Sequence, residues 1–425
     1  MPVALYPNPG RIDVRANGGT KSGHSAMVKA LGRMTNRCAS GYWLYRVTLQ
    51  LCLAGWPLSA SAVDAEVSPR RAAGDMATEF RNQKLPPSTA PLALPLKVPL
   101  TEDARTIEHA QRIFDNHAVL GLLMVDKGRI VYENYRAPAA ANKPLFSWSM
   151  SKSLTAYTLG QMHCDGKIPA LDQPAATVSP ALKGTVFGEA TLRHLLSMSS
   201  GGKEALHSGD HIAPTPDCKP GTNCDGWQMM RAQLMTGMEY LHKFPERGKT
   251  LLGNAVESGS RFAYSGLDTL ALASVADSAG GFLPAFEKYV WNRIGAEAPG
   301  YWLLDRDNRA IAQAGFSAIG RDWIRLALFS LRQLSSDDLC VRDFMHKATS
   351  AQIKNSSKRV GSNFESYGYQ TWIFQSSGSP SYWWAGYGGQ RVGIDPVGEK
   401  IIVVSSYREN YMGEIYRLFD GWQRR

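Results

Sequence analysis

The sequence predicts an α+β fold: an antiparallel sheet flanked by helices, with a mainly helical subdomain inserted at about residues 165–310. Three observations carry this. Two apolar runs flank a tight-turn signal near residue 126, a long stretch of helical character follows, and strand-like runs return after residue 360 to complete the sheet.

The 425 residues are 44% hydrophobic and 20% charged, an ordinary globular balance with ample core. Of the net charge of +10, six units fall in residues 1–62, leaving a scattered +4 that makes no nucleic-acid surface. Residues 1–62 have the order of a secretory signal: Arg33, Arg37 and Arg46, then the apolar run "VTLQLCLAGWPLSASA" (47–62), closing on Ala60-Ser61-Ala62. The basic part is long, which points to a true start at Met27 or Met34. The apolar run is short for a bilayer span, so the expectation is cleavage and no stable membrane insertion, with an N-terminal anchor as the alternative.

Residues 63–100, "LPPSTAPLALPLKVPL" among them, form a Pro/Ala-rich linker or extended arm, and 101–425 the main domain. Within it, Thr101–His117 has helical periodicity, and "AVLGLLMVDKGRIVYENYR" is a hairpin turning at Asp126-Lys127-Gly128. Trp227–Leu241 and Leu267–Ala279 read as helices, and "AQAGFSAIGRDWIRLALFSLRQL" as a turn and an amphipathic helix. "YGYQTWIF", "RVGIDP" and "KIIVVSSY" are the late strands, and 413–423 the last helix. Cys218 and Cys224 flank "KPGTN", and export would close them into a small disulfide loop; Cys164 and Cys340 either pair or stay as buried thiols. A metal site from His207, Asp210, His211 and the two loop cysteines matches no compact zinc spacing, so no metal is expected.

"FSWSMSKSLTAY" (146–157) carries the chemistry. With Ser147 as N-cap, Ser149 stands in the first turn of a helix and Lys152, three residues on, shares its face. A serine hydroxyl needs a base, and a desolvated lysine can lose its proton and serve. A helix N-terminus also favours the negative charge on an attacked carbonyl oxygen. The spacing alone is not specific. Ser200–Lys203 repeats it across Gly201-Gly202 and reads as a loop, and a simple helix cap at Ser149 stays open.

Two further stretches change the weight: "GSRFAYSGLDTLAL", with Tyr264 before a helix, and "WWAGYGGQRVGIDP", a glycine-rich turn ahead of a strand. Together with "SWSMSKSLTAY", "TLRHLLSMSSG" and "AGFSAIGRDWIRLAL", over roughly residues 101–425, they resemble the serine β-lactamase and penicillin-binding family. "SMSKS", "AGFSA" and "GYGGQ" look most like its branch of 6-aminohexanoate-dimer hydrolases and esterases. The resemblance implies an acylated nucleophile at Ser149, a proton acceptor or field source at Lys152, and a proton shuttle at Tyr264. It also implies an oxyanion hole from the N–H groups of Ser149 and Tyr387, within Gly386-Tyr387-Gly388. The glycines alone leave a plain hairpin open.

Two departures weaken β-lactam or cell-wall peptide chemistry: Tyr264-Ser265-Gly266 lacks the family's Asn, and the strand lacks the Lys of Lys-Thr-Gly. Tyr382, Trp383, Trp384 and Tyr387 are expected to wall a flat apolar cleft, with Trp227 as a further wall or lid. His194 reads as structural, and Asp322 as a cap or ion-pair member. The expected protein is an exported serine hydrolase of a small ester or linear amide, needing no cofactor. The alternatives are a β-lactamase or D-alanyl-D-alanine carboxypeptidase, and, from another class, a non-catalytic binding or sensor module.

Overall fold

The computed structural model describes residues 68–98, 103–202, 226–249, 253–356, 361–375 and 379–425. The signal-like residues 1–62, the Cys218–Cys224 loop, and His207, Asp210 and His211 lie outside the described residues. Ala60–Arg425 form one compact unit.

In chain order the strands are β1 (Asn82–Leu85), β2 (Val119–Asp126), β3 (Arg129–Tyr135), β4 (Leu145–Phe146), β5 (Gly300–Leu303) and β6 (Phe316–Ala318). They continue with β7 (Ile353–Lys354), β8 (Ser366–Tyr367), β9 (Trp372–Phe374), β10 (Ser381–Gly386), β11 (Gln390–Asp395) and β12 (Lys400–Ser406). Eight of them make one sheet in the order β3-β2-β12-β11-β10-β9-β8-β7, antiparallel throughout. The early hairpin is thus completed by the returning chain, as the α+β expectation required.

Apolar residues on both faces of a strand mean that both faces are covered. In β2, Leu123 and Val125 enter one core cluster and Leu122 and Met124 the other. In β12, Ile401 and Val403 face the first and Ile402 and Val404 the second. The terminal helices Ala104–Asn116 and Met412–Gln423 cover one face through Ile113, Phe114, Ile415 and Phe419. On the other face lie Ser151–Cys164 and Gly320–Leu334, with Leu154, Trp323 and Ile324 in that cluster.

Two expectations are corrected here and one is made specific. In the stretch read as a linker or extended arm, residues 86–98 lie over the surface, and the part before them is built into the body. Ala72, Ala73 and Met76 are buried, β1 pairs with β5, and the backbone at Pro95 and Lys97 bonds to Ile130, covering the β3 edge. "SYWWAG", taken for a cleft wall, is β10, an interior strand. Trp384 is fully buried with its indole N–H bonded to the Tyr157 hydroxyl (3.0 Å), and Tyr382 and Trp383 pack on opposite faces, so these rings fill the core. "GFSA", read as a turn, supplies β6, which with β1, β5 and β4 makes a second sheet in the order β1-β5-β6-β4.

Cys164 and Cys340 are disulfide-bonded, with Cα atoms 5.6 Å apart. The bridge ties the end of Ser151–Cys164 to the start of Leu339–Ala348. Closing a chain loop this long restricts the unfolded state, and such bridges stabilise by about 2–4 kcal/mol. The double variant Cys164→Ser/Cys340→Ser should therefore melt well below wild type by circular dichroism. Equal midpoints would contradict the stabilising role.

Candidate active site

Between β4 and the Ser151–Cys164 helix the chain makes a single tight turn, Trp148–Met150, that carries Ser149. Trp148 holds a φ of +45°, a left-handed conformation that bulky residues rarely adopt. The surroundings fix it. The hydroxyls of Ser147 (2.9 Å) and Ser151 (3.0 Å) both donate to the Trp148 carbonyl, and the indole is packed among Phe146, Trp227 and Tyr387. Ser147, expected as an N-cap, makes no cap bond. Its Oγ also accepts from the Phe316 N–H (3.1 Å), tying the turn to β6.

The Ser151–Cys164 helix is buried on nearly every side, so its polar side chains must find partners inside the protein. Ser153 donates to the Gln370 carbonyl, Thr155 to the carbonyls of Ser151 and Ala312, and Thr158 to that of Leu154. Lys152, only 1% exposed, donates from Nζ to Ser149 Oγ (2.9 Å) and to the Gln313 carbonyl (2.6 Å). Burial pushes its ammonium down to about 7, since the charged form is desolvated.

Tyr264 comes from the loop before Gly266–Ser278. The Ala263 N–H bonds to the Met198 carbonyl, the Ser265 hydroxyl caps the helix by accepting from the Leu267 N–H, and the phenol ring stacks on Trp372. The centre of that ring lies 5.3 Å from Lys152 Nζ, and the Ser149 side chain is near enough to its hydroxyl to favour the phenolate. Burial pushes the phenol up; the Ser149 contact and the Arg391 charge offset part of this. Ser149, Lys152 and the distant Tyr264, all singled out in the sequence, therefore meet in one place.

The β10–β11 hairpin closes the site. Gly386 abuts the turn before Ser149 so tightly that a Cβ there would run into the Ser147 carbonyl. Gly388 (+74°) and Gly389 (+91°) take left-handed conformations that glycine adopts without strain. Tyr387 is 45% exposed, and its ring meets Trp148 edge-on. The expectation for Trp227 is corrected: it is 1% exposed and packed behind Phe146 and Trp148, so it buttresses the turn and forms no open wall or lid.

The other candidates hold structure together. Asp322 accepts from the N–H groups of Glu297 and Ala298 and pairs with Arg325. The His194 ring lies against Gly259. The Ser200 hydroxyl donates to the buried Asp268. Among the described residues no group of three or more His, Cys, Asp or Glu could hold a metal ion. Sequence reading missed Gln313, whose role lies in its backbone carbonyl and has no side-chain signature. It also missed Trp148, whose strain a sequence does not display.

The Beta-lactamase family model matches residues 107–416. The 6-aminohexanoate-dimer hydrolase of Paenarthrobacter ureafaciens is 24% identical over 213 residues, 49% of this chain, and the match spans only about half (51%) of that relative. Among solved structures, a Bacillus anthracis protein provisionally assigned as a 6-aminohexanoate-dimer hydrolase superposes with a TM-score of 0.66 at 19% identity, covering 85% of this chain and 95% of its own. A penicillin-binding protein from Bacillus halodurans gives 0.55 at 18% identity, covering 74% and 99%. The two superpositions speak for the fold alone; the family match, which spans most of the chain, shows that this protein belongs to the Beta-lactamase family.

Proposed function

We propose that the protein is an exported serine hydrolase that cleaves a small ester or linear amide through an acyl-enzyme at Ser149. The observation that carries this is the Lys152 amine, buried and 2.9 Å from Ser149 Oγ. Burial alone shifts it to about 7, so at neutral pH a substantial share is free base.

In this reading Ser149 Oγ attacks the substrate carbonyl carbon while its proton passes to Lys152. The carbonyl electrons move onto oxygen, where the N–H groups of Ser149 and Tyr387 receive the charge. As the carbonyl reforms, the bond to the leaving group breaks and the proton on Lys152 is returned to that group, by way of the Tyr264 hydroxyl. Tyr264 relays as a phenol, because burial holds it protonated. Water then attacks the acyl carbonyl carbon and gives a proton to the same relay; as the bond to Ser149 Oγ breaks, the relay hands that proton to Oγ, which releases the acid and restores the hydroxyl.

The missing Asn at Gly266 and the missing strand lysine favour neutral or linear substrates over β-lactams. The name of the Paenarthrobacter relative supports a linear amide. Export is supported by the signal-like order of residues 1–62 and by the Cys164–Cys340 disulfide, a bond that persists in oxidising compartments.

Ser149→Ala should lower nitrophenyl acetate hydrolysis by at least about 1,000-fold; wild-type release by that variant would remove the reading. A panel of esters, linear amides and a chromogenic cephalosporin ranks the substrate classes, and preferred turnover of the cephalosporin would favour the β-lactamase alternative. The wild-type kcat/KM should rise as pH passes through about 7, where Lys152 becomes a base, and Lys152→Ala should abolish both activity and that rise. A flat profile would contradict the base role. The same burial sets a sign for stability. Between about 7 and the ordinary 10.5 the folded chain holds the neutral amine and the unfolded chain the ammonium, so stability from this group grows with pH. Lys152→Met should therefore raise the melting temperature at pH 7, by a margin that shrinks toward pH 10.5. N-terminal sequencing of the exported protein should begin near Val63; an uncleaved, membrane-bound product would contradict the cleavage.

A further inference from the structure

The turn that closes the site contains a charge the mechanism above does not use. Arg391, the first residue after Gln390 in β11, is 7% exposed, although an arginine so placed must give up its hydration. Its donors are directed at named acceptors. Nη1 donates to the Gly386 carbonyl (2.6 Å) and to the Gln390 carbonyl (2.8 Å), Nε donates to the Tyr416 hydroxyl (2.9 Å), and Nη2 faces Glu409 at 3.7 Å. Glu409 in turn accepts from the Gly389 N–H (3.3 Å). One ion pair therefore grips the Gly386–Gln390 turn from two sides.

The Gly386 carbonyl belongs to the same peptide unit as the Tyr387 N–H. A peptide is planar, with its carbonyl and N–H pointing in opposite directions. A cation bonded to the carbonyl thus fixes the direction of the N–H on the far side and, by drawing electrons through the amide, makes that N–H a stronger donor. We infer that Arg391 is a positioning residue for the oxyanion hole, holding and polarising the Gly386–Tyr387 peptide so that its N–H meets the charge developing on an attacked carbonyl oxygen. The inference rests on the reading of Ser149 as nucleophile and of the Tyr387 N–H as an oxyanion donor. The close packing of Gly386 on the Ser147 carbonyl gives the contact by which this peptide borders the nucleophile's turn.

A guanidinium that merely stabilised the fold would change the melting temperature and leave the chemistry alone. One that prepares the oxyanion hole acts only where negative charge appears, so its loss lowers kcat and the affinity for a tetrahedral anionic mimic together and leaves KM nearly unchanged. The test uses the full chain with Arg391→Gln and Arg391→Lys. It measures kcat and KM on nitrophenyl acetate and inhibition by a phenylboronic acid, whose adduct with Ser149 is a tetrahedral anion. Arg391→Gln should lose about 10- to 100-fold in kcat, less than removal of an oxyanion donor itself. Boronate affinity should fall by a similar factor, and KM should stay within about twofold. Arg391→Lys should recover part of the loss, because it keeps the charge and gives up the fork that spans two carbonyls. Wild-type kcat and boronate affinity in Arg391→Gln would overturn the inference, as would a loss confined to KM. If Arg391→Gln fails to fold, Arg391→Lys decides: a parallel fall in kcat and boronate affinity supports the inference, and wild-type values overturn it. Ser149→Ala in the same assay separates the two levels, since activity surviving there removes the reading of the nucleophile, whereas an inert Ser149→Ala beside an unaffected Arg391→Gln removes only the role of Arg391.

Discussion

A lysine amine enclosed in the protein with the Ser149 hydroxyl and the Gln313 carbonyl as its acceptors is the constraint on which the rest depends. A carboxylate partner would hold the ammonium charged, because Coulombic attraction favours the ionised form. Here the acceptors are neutral oxygens, so desolvation prevails and the amine becomes a base near neutral pH. Such an arrangement is unstable in isolation. It persists because the Ser151–Cys164 helix is packed on almost all sides and its other buried polar groups are satisfied, leaving little room for water to reach Nζ.

The fold contributes rigidity at the positions where this amine needs it. The turn carrying Ser149 stores strain at Trp148, and two hydroxyls, an aromatic cluster and the β6 backbone hold it there. Strain of this kind survives only where the surroundings fix it more firmly than the local backbone resists. The sheet supplies the opposite wall. β10 runs through its interior with large rings on both faces, so the end of that strand is delivered against the Ser147 carbonyl with little freedom. Gly386 is required at that contact because any side chain would push hairpin and turn apart.

Much of the architecture was legible because it is written in local patterns. The β2–β3 hairpin shows as two apolar runs around Asp126-Lys127-Gly128, and β12 as an unbroken apolar run that only a sheet covered on both faces would accept. Ser149 and Lys152 share a helix turn, so their proximity follows from spacing. Tyr264 is more than a hundred residues away and could be joined to them only through the resemblance of the surrounding motifs. The failures have a common cause. Tyr382, Trp383 and Trp384 have the composition of either a cleft wall or a buried strand, and composition does not say which side of the surface a ring lies on. Trp227 was misplaced for the same reason. Ser147 has a capping residue's chemistry, yet its hydroxyl is used by a strand that comes from 169 residues further along the chain.

The two departures from the family pattern gain a physical sense from the structure. At Ser265-Gly266 the serine hydroxyl is spent on capping the following helix, and the glycine leaves space that the Gln313 side chain borders. At the hairpin, the charged side chain is Arg391, and it is only 7% exposed. Its donors are committed to the carbonyls of Gly386 and Gln390 and to Tyr416, and its charge is partly balanced by Glu409. A cation so engaged cannot also serve as the anchor for a substrate carboxylate without breaking the bonds that hold the turn, each a charge-assisted bond worth about 1.5–3 kcal/mol in place. The guanidinium therefore acts on this end of the site through the backbone that it holds.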